Sequence, residues 1–273
     1  MHRLPWLPRL DVDFPLGRRY PLTNIHRRES TMSIAICLKG FEGIVLATDS
    51  RVISRPAQGL GQTHDDGVTK LWSIGNNFGV AGVGNLNGYE ARIVYLFKRQ
   101  ILDGEIQETD FSKLVERFAG CLKVDWDKCT AGVNFHGPIS QYFIEFVLAG
   151  YNEEGQPIIL NLDWDYSQQI VTAKPIMRQY HIAGIPFIAR YWIKELKVGE
   201  YLPMAKDQTL KRIAAFLISE SALAFDDIGG DIQMLLIKKD AKLQWIDKIE
   251  IETILEYIKN AKKSNLTQLL TEA

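Results

Sequence analysis

From position 33 onward the apolar residues fall into short β-branched runs broken by glycine, and later into three-and-four spacings. Both patterns can be turned into elements. SIAICLKG and GIVLATDSRV predict two strands joined by a tight turn around Gly40 and Gly43. Residues 53–69, rich in Gly, Gln and Asp, predict a loop. KLWSIG and NFGVAGVG predict a second strand pair turning through Gly75, Asn76 and Asn77. Leu86, Ala91, Ile93, Val94, Leu96 and Phe97 lie in a stretch of helical composition, and Phe111, Leu114, Val115, Phe118 and Leu122 repeat at helical spacing. Strands resume at QYFIEFVLAGYN, PIILNLDW and IVTAKPIMRQYHI. Helical patterns follow near 187–197 and 207–223, then a strand at GDIQMLLIKK and a closing helix from about Glu250. Strands grouped in runs, instead of alternating one by one with helices, argue against a doubly wound parallel sheet. They favour an α+β fold of antiparallel sheets sandwiched by helix pairs.

Residues 1–32 break this texture. Pro5, Pro8, Pro15 and Pro21 stand among scattered arginines with no apolar stretch, which predicts a disordered leader ahead of one domain over 33–273. The acids Asp11, Asp13 and Glu29 speak against a transit peptide. The whole chain is 46% hydrophobic and 24% charged with a formal net charge of −1, which gives no electrostatic reason to expect nucleic acid or an anionic membrane as partner. No apolar run approaches the roughly 18 residues a membrane span needs. Cys37, Cys121 and Cys129 are odd in number and lack metal-ligand spacing, so neither a disulfide framework nor a zinc site is expected, and a reducing compartment, the cytoplasm, fits. His64 and His136 have no acid or cysteine at ligand spacing, so no metal is expected.

A serine hydroxyl needs a base. A chain-terminal serine carries one in its own α-amine, whose pKa of about 7.7–8.0 lies near working pH. Such a nucleophile also gains from a nearby cation held by an acid, and Asp49 at a strand end with Lys70 at the start of another offers both.

The runs SIAICLKGFEGIVLATDSR and VTKLWSIGNNFGVAGVG resemble the opening of proteasome β-type subunits and their bacterial relatives, which are N-terminal nucleophile hydrolases, and the similarity extends over nearly all of 33–238. In that family an Asp in an A-x-D-S-R-like segment follows the nucleophile by sixteen positions, as Asp49 follows Ser33 here. Thr31, the more usual residue type, stands eighteen positions away and would require two extra residues inside a strand. The resemblance implies a four-layer αββα sandwich of two antiparallel sheets. It also implies Ser33 as nucleophile, Asp49 and Lys70 as its electrostatic partners, Gly84 N–H as oxyanion donor and Arg51 as a buttress. Val52, Val68, Trp72 and Gly82 fall at the positions of the substrate pocket, hydrophobic given a large Trp72 and a small Gly82. No cofactor is implied. Peptides or unfolded proteins are the implied substrates, and a homo-oligomer or ring of related subunits the implied assembly.

The chain departs from the pattern at three places. Ala183 in HIAGIP stands where the family carries a serine that assists the amine. Ile228 stands where D-x-x-S-G-G has its serine, leaving Asp226 or Asp227 as the family's aspartate. Met32 replaces the glycine that precedes the nucleophile in self-excising precursors, so translation from Met32 with loss of that Met would expose Ser33 directly. Two rivals follow: a catalytically silent structural subunit and a small-molecule amidase on the same fold. GVGNLNG at 82–88 follows a strand as a dinucleotide loop would, but its third glycine is one residue late and no strand ending in Asp or Glu follows near 103, which argues against that reading.

Overall fold

The computed structural model describes residues 33–54, 63–75, 78–84, 89–102, 114–122, 144–165, 170–239 and 243–266. The expectations for the leader 1–32, the turn residues Asn76 and Asn77, Leu86, Phe111, Cys129 and His136 lie outside them.

The opening runs form β1 (Ile34–Lys39) and β2 (Gly43–Thr48), joined by a turn in which Gly40 N–H donates to Gly43 O at 2.9 Å. Both strands are buried on both faces, which is why they read as unbroken apolar runs. They are central in a five-stranded sheet of order β10-β1-β2-β11-β12, with β10 at Tyr180–Gly184, β11 at Gln233–Lys238 and β12 at Leu243–Trp245. A second five-stranded sheet runs in sequence order: β5 (Leu71–Ile74), β6 (Phe78–Gly84), β7 (Ile144–Tyr151), β8 (Pro157–Asp165) and β9 (Ile170–Pro175). Every pairing in both sheets is antiparallel. The chain is therefore a mixed α and β fold built on antiparallel sheets.

Among the described residues six α-helices accompany them: α1 (Tyr89–Leu102), α2 (114–122), α3 (Phe187–Glu195), α4 (Val198–Tyr201), α5 (Asp207–Ala224) and α6 (Lys248–Ser264). Strand alternation sorts the core into three clusters. Ile34, Ile36 and Leu38 of β1 pack with Leu210, Ile213 and Leu217 of α5 and with residues of α3 and α6. Phe78, Val80 and Phe146 pack with Phe97 of α1 and Phe118 of α2. Ala35, Cys37 and Leu46 from one sheet meet Ala81, Val147 and Ala149 from the other, so this third cluster lies between the sheets. By the same alternation Ser33 continues the Cys37–Ala35 row at the end of the inter-sheet space.

Three local expectations are corrected. The loop over 53–69 contains a ribbon of β3 (Val52–Ser54) and β4 (Thr63–Asp65). IVTAKPIMRQYHI is two strands in different sheets: β9 ends at Pro175, one residue before the Ile176 N–H makes a last bond to Ile159 O at 2.9 Å, and the chain then crosses to pair β10 with β1. The last helix starts at Lys248, because Asp247 caps it by accepting the Glu250 N–H at 2.8 Å. The sheet also speaks against a dinucleotide loop, since β6 is flanked by antiparallel strands on both sides and such a loop requires a parallel unit. Among the described residues no helix is long and apolar enough to cross a membrane.

Candidate active site

Three strand ends converge where the inter-sheet space opens. Ser33 precedes β1, Asp49 follows β2, and Lys70 precedes β5; all three are buried. Lys70 Nζ lies 2.8 Å from Ser33 Oγ and 3.0 Å from Asp49 Oδ2, and it also donates to the Arg51 carbonyl. As an ammonium paired with Asp49, Lys70 thus uses all three of its N–H donors. That makes it a fixed positive charge beside the serine oxygen, suited to stabilising an alkoxide; an ammonium with no lone pair cannot take the serine proton.

Asp49 is held as firmly. Its Oδ1 accepts the Ile34 N–H at 3.0 Å, and its Oδ2 accepts the Arg51 N–H at 3.2 Å and the Gly229 N–H at 3.5 Å. Burial pushes the Asp49 carboxyl up from its usual range, while Lys70 and the backbone N–H groups pull it back.

Arg51 buttresses the pair through its backbone, since its N–H and C=O meet Asp49 and Lys70. Its guanidinium turns outward in a fork onto Asp66, with Nε at 2.6 Å from Oδ1 and Nη2 at 2.9 Å from Oδ2. These bonds hold the Asp66 carboxyl below the usual range. Arg51 Nη1 reaches the backbone carbonyl of Asp226 at 2.8 Å, so Asp226 contributes through its main chain. Asp227 is buried beside it, and Ile228 and Ala183 are buried hydrocarbons at the two positions where the resemblance implies hydroxyls.

Sequence reasoning missed Gln233. Its side-chain oxygen accepts the N–H groups of Lys70 at 2.9 Å and Leu71 at 3.1 Å, and its Nε2 donates to Val68 O at 2.7 Å. One amide thus clamps residues 68–71 and sets where the lysine stem starts. Asp66 and the close fit of Gly229 were missed as well; only the two adjacent glycines at 229–230 hinted at the latter. A Cβ on Gly229 would lie 2.7 Å from Arg51 Cζ, so glycine lets this loop lie against residues 49–51.

Gly184 is the sharper case. Its φ is +79°, and a Cβ there would fall 2.0 Å from the Ser33 carbonyl oxygen. The neighbouring Ile185 N–H donates to that same oxygen at 3.1 Å. Gly184→Ala therefore combines left-handed strain with a clash against the Ser33 backbone, and we expect a loss of at least about 2 kcal/mol in denaturant unfolding.

Trp72 and Gly82 sit on one face of the second sheet. Trp72 pairs with Val80 and packs toward α1, and Gly82 is its diagonal neighbour, within aromatic reach. Gly82 N–H also donates to Lys70 O at 2.9 Å, tying this surface to the lysine. Val52 is half-buried in β3, Val68 is half-buried two residues before Lys70, and Gly84 ends β6 opposite Ile144. A groove of about 760 Å3 between α5, α6 and β11 meets the surroundings of the cluster at Ser50, Gly229 and Gln233; neither Ser33 nor Lys70 lines it. His64, in β4, is exposed, and among the described residues no group of three or more His, Cys, Asp or Glu is placed to hold a metal ion. No protein-family model and no curated protein matches the chain.

Proposed function

We propose that the protein is an N-terminal nucleophile hydrolase of the proteasome β type, folded as a four-layer αββα sandwich and cleaving peptide bonds. The observation that carries this reading is the buried contact chain from Ser33 Oγ through Lys70 Nζ to Asp49, built from three separate strand ends. Since the lysine donors are committed to acceptors, the base has to come from elsewhere, and the α-amine of Ser33 is the one group carried on the nucleophile itself.

In this mechanism Ser33 Oγ attacks the substrate carbonyl while its proton passes to the α-amine. Lys70 stabilises the developing oxygen charge, and Gly84 N–H receives the oxyanion. The C–N bond then breaks, and the leaving amine takes the proton from the α-ammonium. Water attacks the resulting Ser33 ester, gives its proton to the α-amine, and releases the acid as Oγ regains a proton. The chemistry calls for no cofactor. Peptides or unfolded proteins as substrate, assembly with further copies or related subunits into an oligomer or ring, and a cytoplasmic location complete the reading.

The mechanism needs a free Ser33 amine. Intact-mass and N-terminal peptide analysis of active protein is expected to find chains beginning at Ser33; activity in chains with residue 32 still joined to it would sink the mechanism. The pocket reading carries its own expectation. Gly82→Val, which adds a branched side chain beside Trp72, should lower kcat/KM at least roughly 10-fold for peptides with a large apolar residue before the scissile bond, and far less for alanine there.

A second reading, a silent structural subunit, is favoured by the buried hydrocarbons Ala183 and Ile228. It predicts a correctly trimmed chain that no nucleophile-directed electrophile labels.

A further inference from the structure

Glu145 stands out on β7. Residues 145, 147 and 149 share the face toward the other sheet; Val147 and Ala149 are apolar there, but position 145 carries a carboxylate. Its Oε2 accepts the Gly184 N–H at 2.9 Å. Gly184 belongs to β10, the edge strand of the first sheet, opposite Ile34. The bond from Ile185 N–H to Ser33 O makes Ile34–Gly184 a pair without mutual hydrogen bonds, so the Gly184 N–H points away from β1, where no strand follows among the described residues. An edge N–H at a half-buried position needs an acceptor, and here the acceptor comes from the opposite sheet.

The carboxylate is itself oriented. Glu145 Oε1 lies 3.6 Å from His181 Nε2, which is 3.0 Å from Asn161 Oδ1, and Asn161 Nδ2 donates to Asp163 Oδ1 at 3.0 Å. A polar row drawn from β7, β8 and β10 thus ends on the main chain that touches the nucleophile.

We propose that Glu145 is a positioning residue for Ser33. It pins Gly184, and with it the Ile185 N–H that holds the Ser33 carbonyl, so that the register of β10 on β1 and the aim of Ser33 Oγ are set by a contact between the two sheets. Gly184 has no side chain with which to hold itself, and the missing Cβ that lets it adopt a positive φ also leaves its backbone more freedom than any other residue would have. The catalytic consequence rests on the hydrolase reading above; the structural one does not.

The test uses the full chain with its terminus at Ser33 and a peptide epoxyketone, whose ring adduct requires a hydroxyl and a free amine on one residue. Glu145→Ala should lower the labelling rate constant about 10- to 100-fold, as a misaimed nucleophile does. The inhibitor's binding constant should hold within about 2-fold, because Trp72 and Gly82 lie on the other face of the second sheet. Glu145→Gln, which keeps an oxygen for the Gly184 N–H, should recover most of the rate. Hydrogen exchange over residues 180–185 should quicken in Glu145→Ala and stay near wild type in Glu145→Gln. Should the alanine variant fail to fold, Glu145→Asp, one methylene short of Gly184, takes its place with the same expectation. Labelling of Glu145→Ala at the wild-type rate, or equal loss in the Ala and Gln variants, would overturn the proposal. A wild-type chain that never labels defeats the hydrolase reading instead, and the exchange comparison then still decides whether Glu145 pins Gly184.

Discussion

Lys70→Met is expected to damage stability and activity together, with unfolding free energy falling by about 3–5 kcal/mol. Among the described residues Lys70 Nζ is the cation in ion-pair contact with the fully buried Asp49 carboxylate, and methionine fills the stem's volume while removing the charge. What remains is a carboxylate served only by backbone N–H groups.

The sign of the pH dependence follows from the carboxyl. Asp49 is raised above its reference of 3.8 already in the wild type, and losing Lys70 raises it further. A folded pKa above the unfolded one means that the native state binds more protons across the interval between them. Stability therefore falls as pH rises from about 4 through the folded value, and the loss is complete above it. Denaturant midpoints measured from pH 4 to 8 should show the variant losing more stability with rising pH than the wild type does. Asp49→Asn added to Lys70→Met removes the orphaned charge and should return part of the loss at neutral pH, a coupling that a double-mutant cycle measures. A single variant as stable as wild type at pH 8 would mean that the pair is not buried in solution.

Ser33→Ala is expected to separate the two properties. The substitution removes one of three acceptors around Lys70 and leaves Asp49 and the Arg51 carbonyl in place, so stability should change by no more than about 1 kcal/mol. Peptide hydrolysis should fall at least roughly 10^3-fold, because no other hydroxyl replaces the nucleophile and the remaining groups only bind and polarise the carbonyl. Adduct formation with the epoxyketone should disappear. Hydrolysis that survives in Ser33→Ala would place the chemistry on another residue, whereas a correctly trimmed wild type that neither hydrolyses nor labels would favour the silent subunit.

The two variants differ because Ser33 and Lys70 do different work in one contact chain. Lys70 is bound into the fold from four sides: its main chain by Gln233 and Gly82, its ammonium by Asp49 and the Arg51 carbonyl. The serine hydroxyl contributes one bond to that network and is therefore dispensable for folding. A nucleophile has to be free in this way, since its oxygen must exchange partners during reaction.

The sequence by itself determined the paired strands, their grouping into runs and most helices, whereas the sixteen-residue spacing of Ser33 and Asp49 took its meaning from the family resemblance. Each of these elements is local or periodic: burial on one or both faces writes alternation or unbroken apolar runs, and a slip of one residue would turn every side chain to the wrong face. The sequence did not reveal the β3–β4 ribbon, β12 or the switch of sheets after Pro175, because three-residue strands and crossings leave no period to read. Only the tertiary structure decided that Lys70 reaches Ser33 and Asp49 at once, that Gln233 clamps the lysine segment from 163 residues away, and that Glu145 answers an N–H on the edge of the opposite sheet. These are contacts between strand ends far apart in the chain. Their energy comes from satisfying polar groups that folding has already buried, a requirement that does not exist until the two sheets meet.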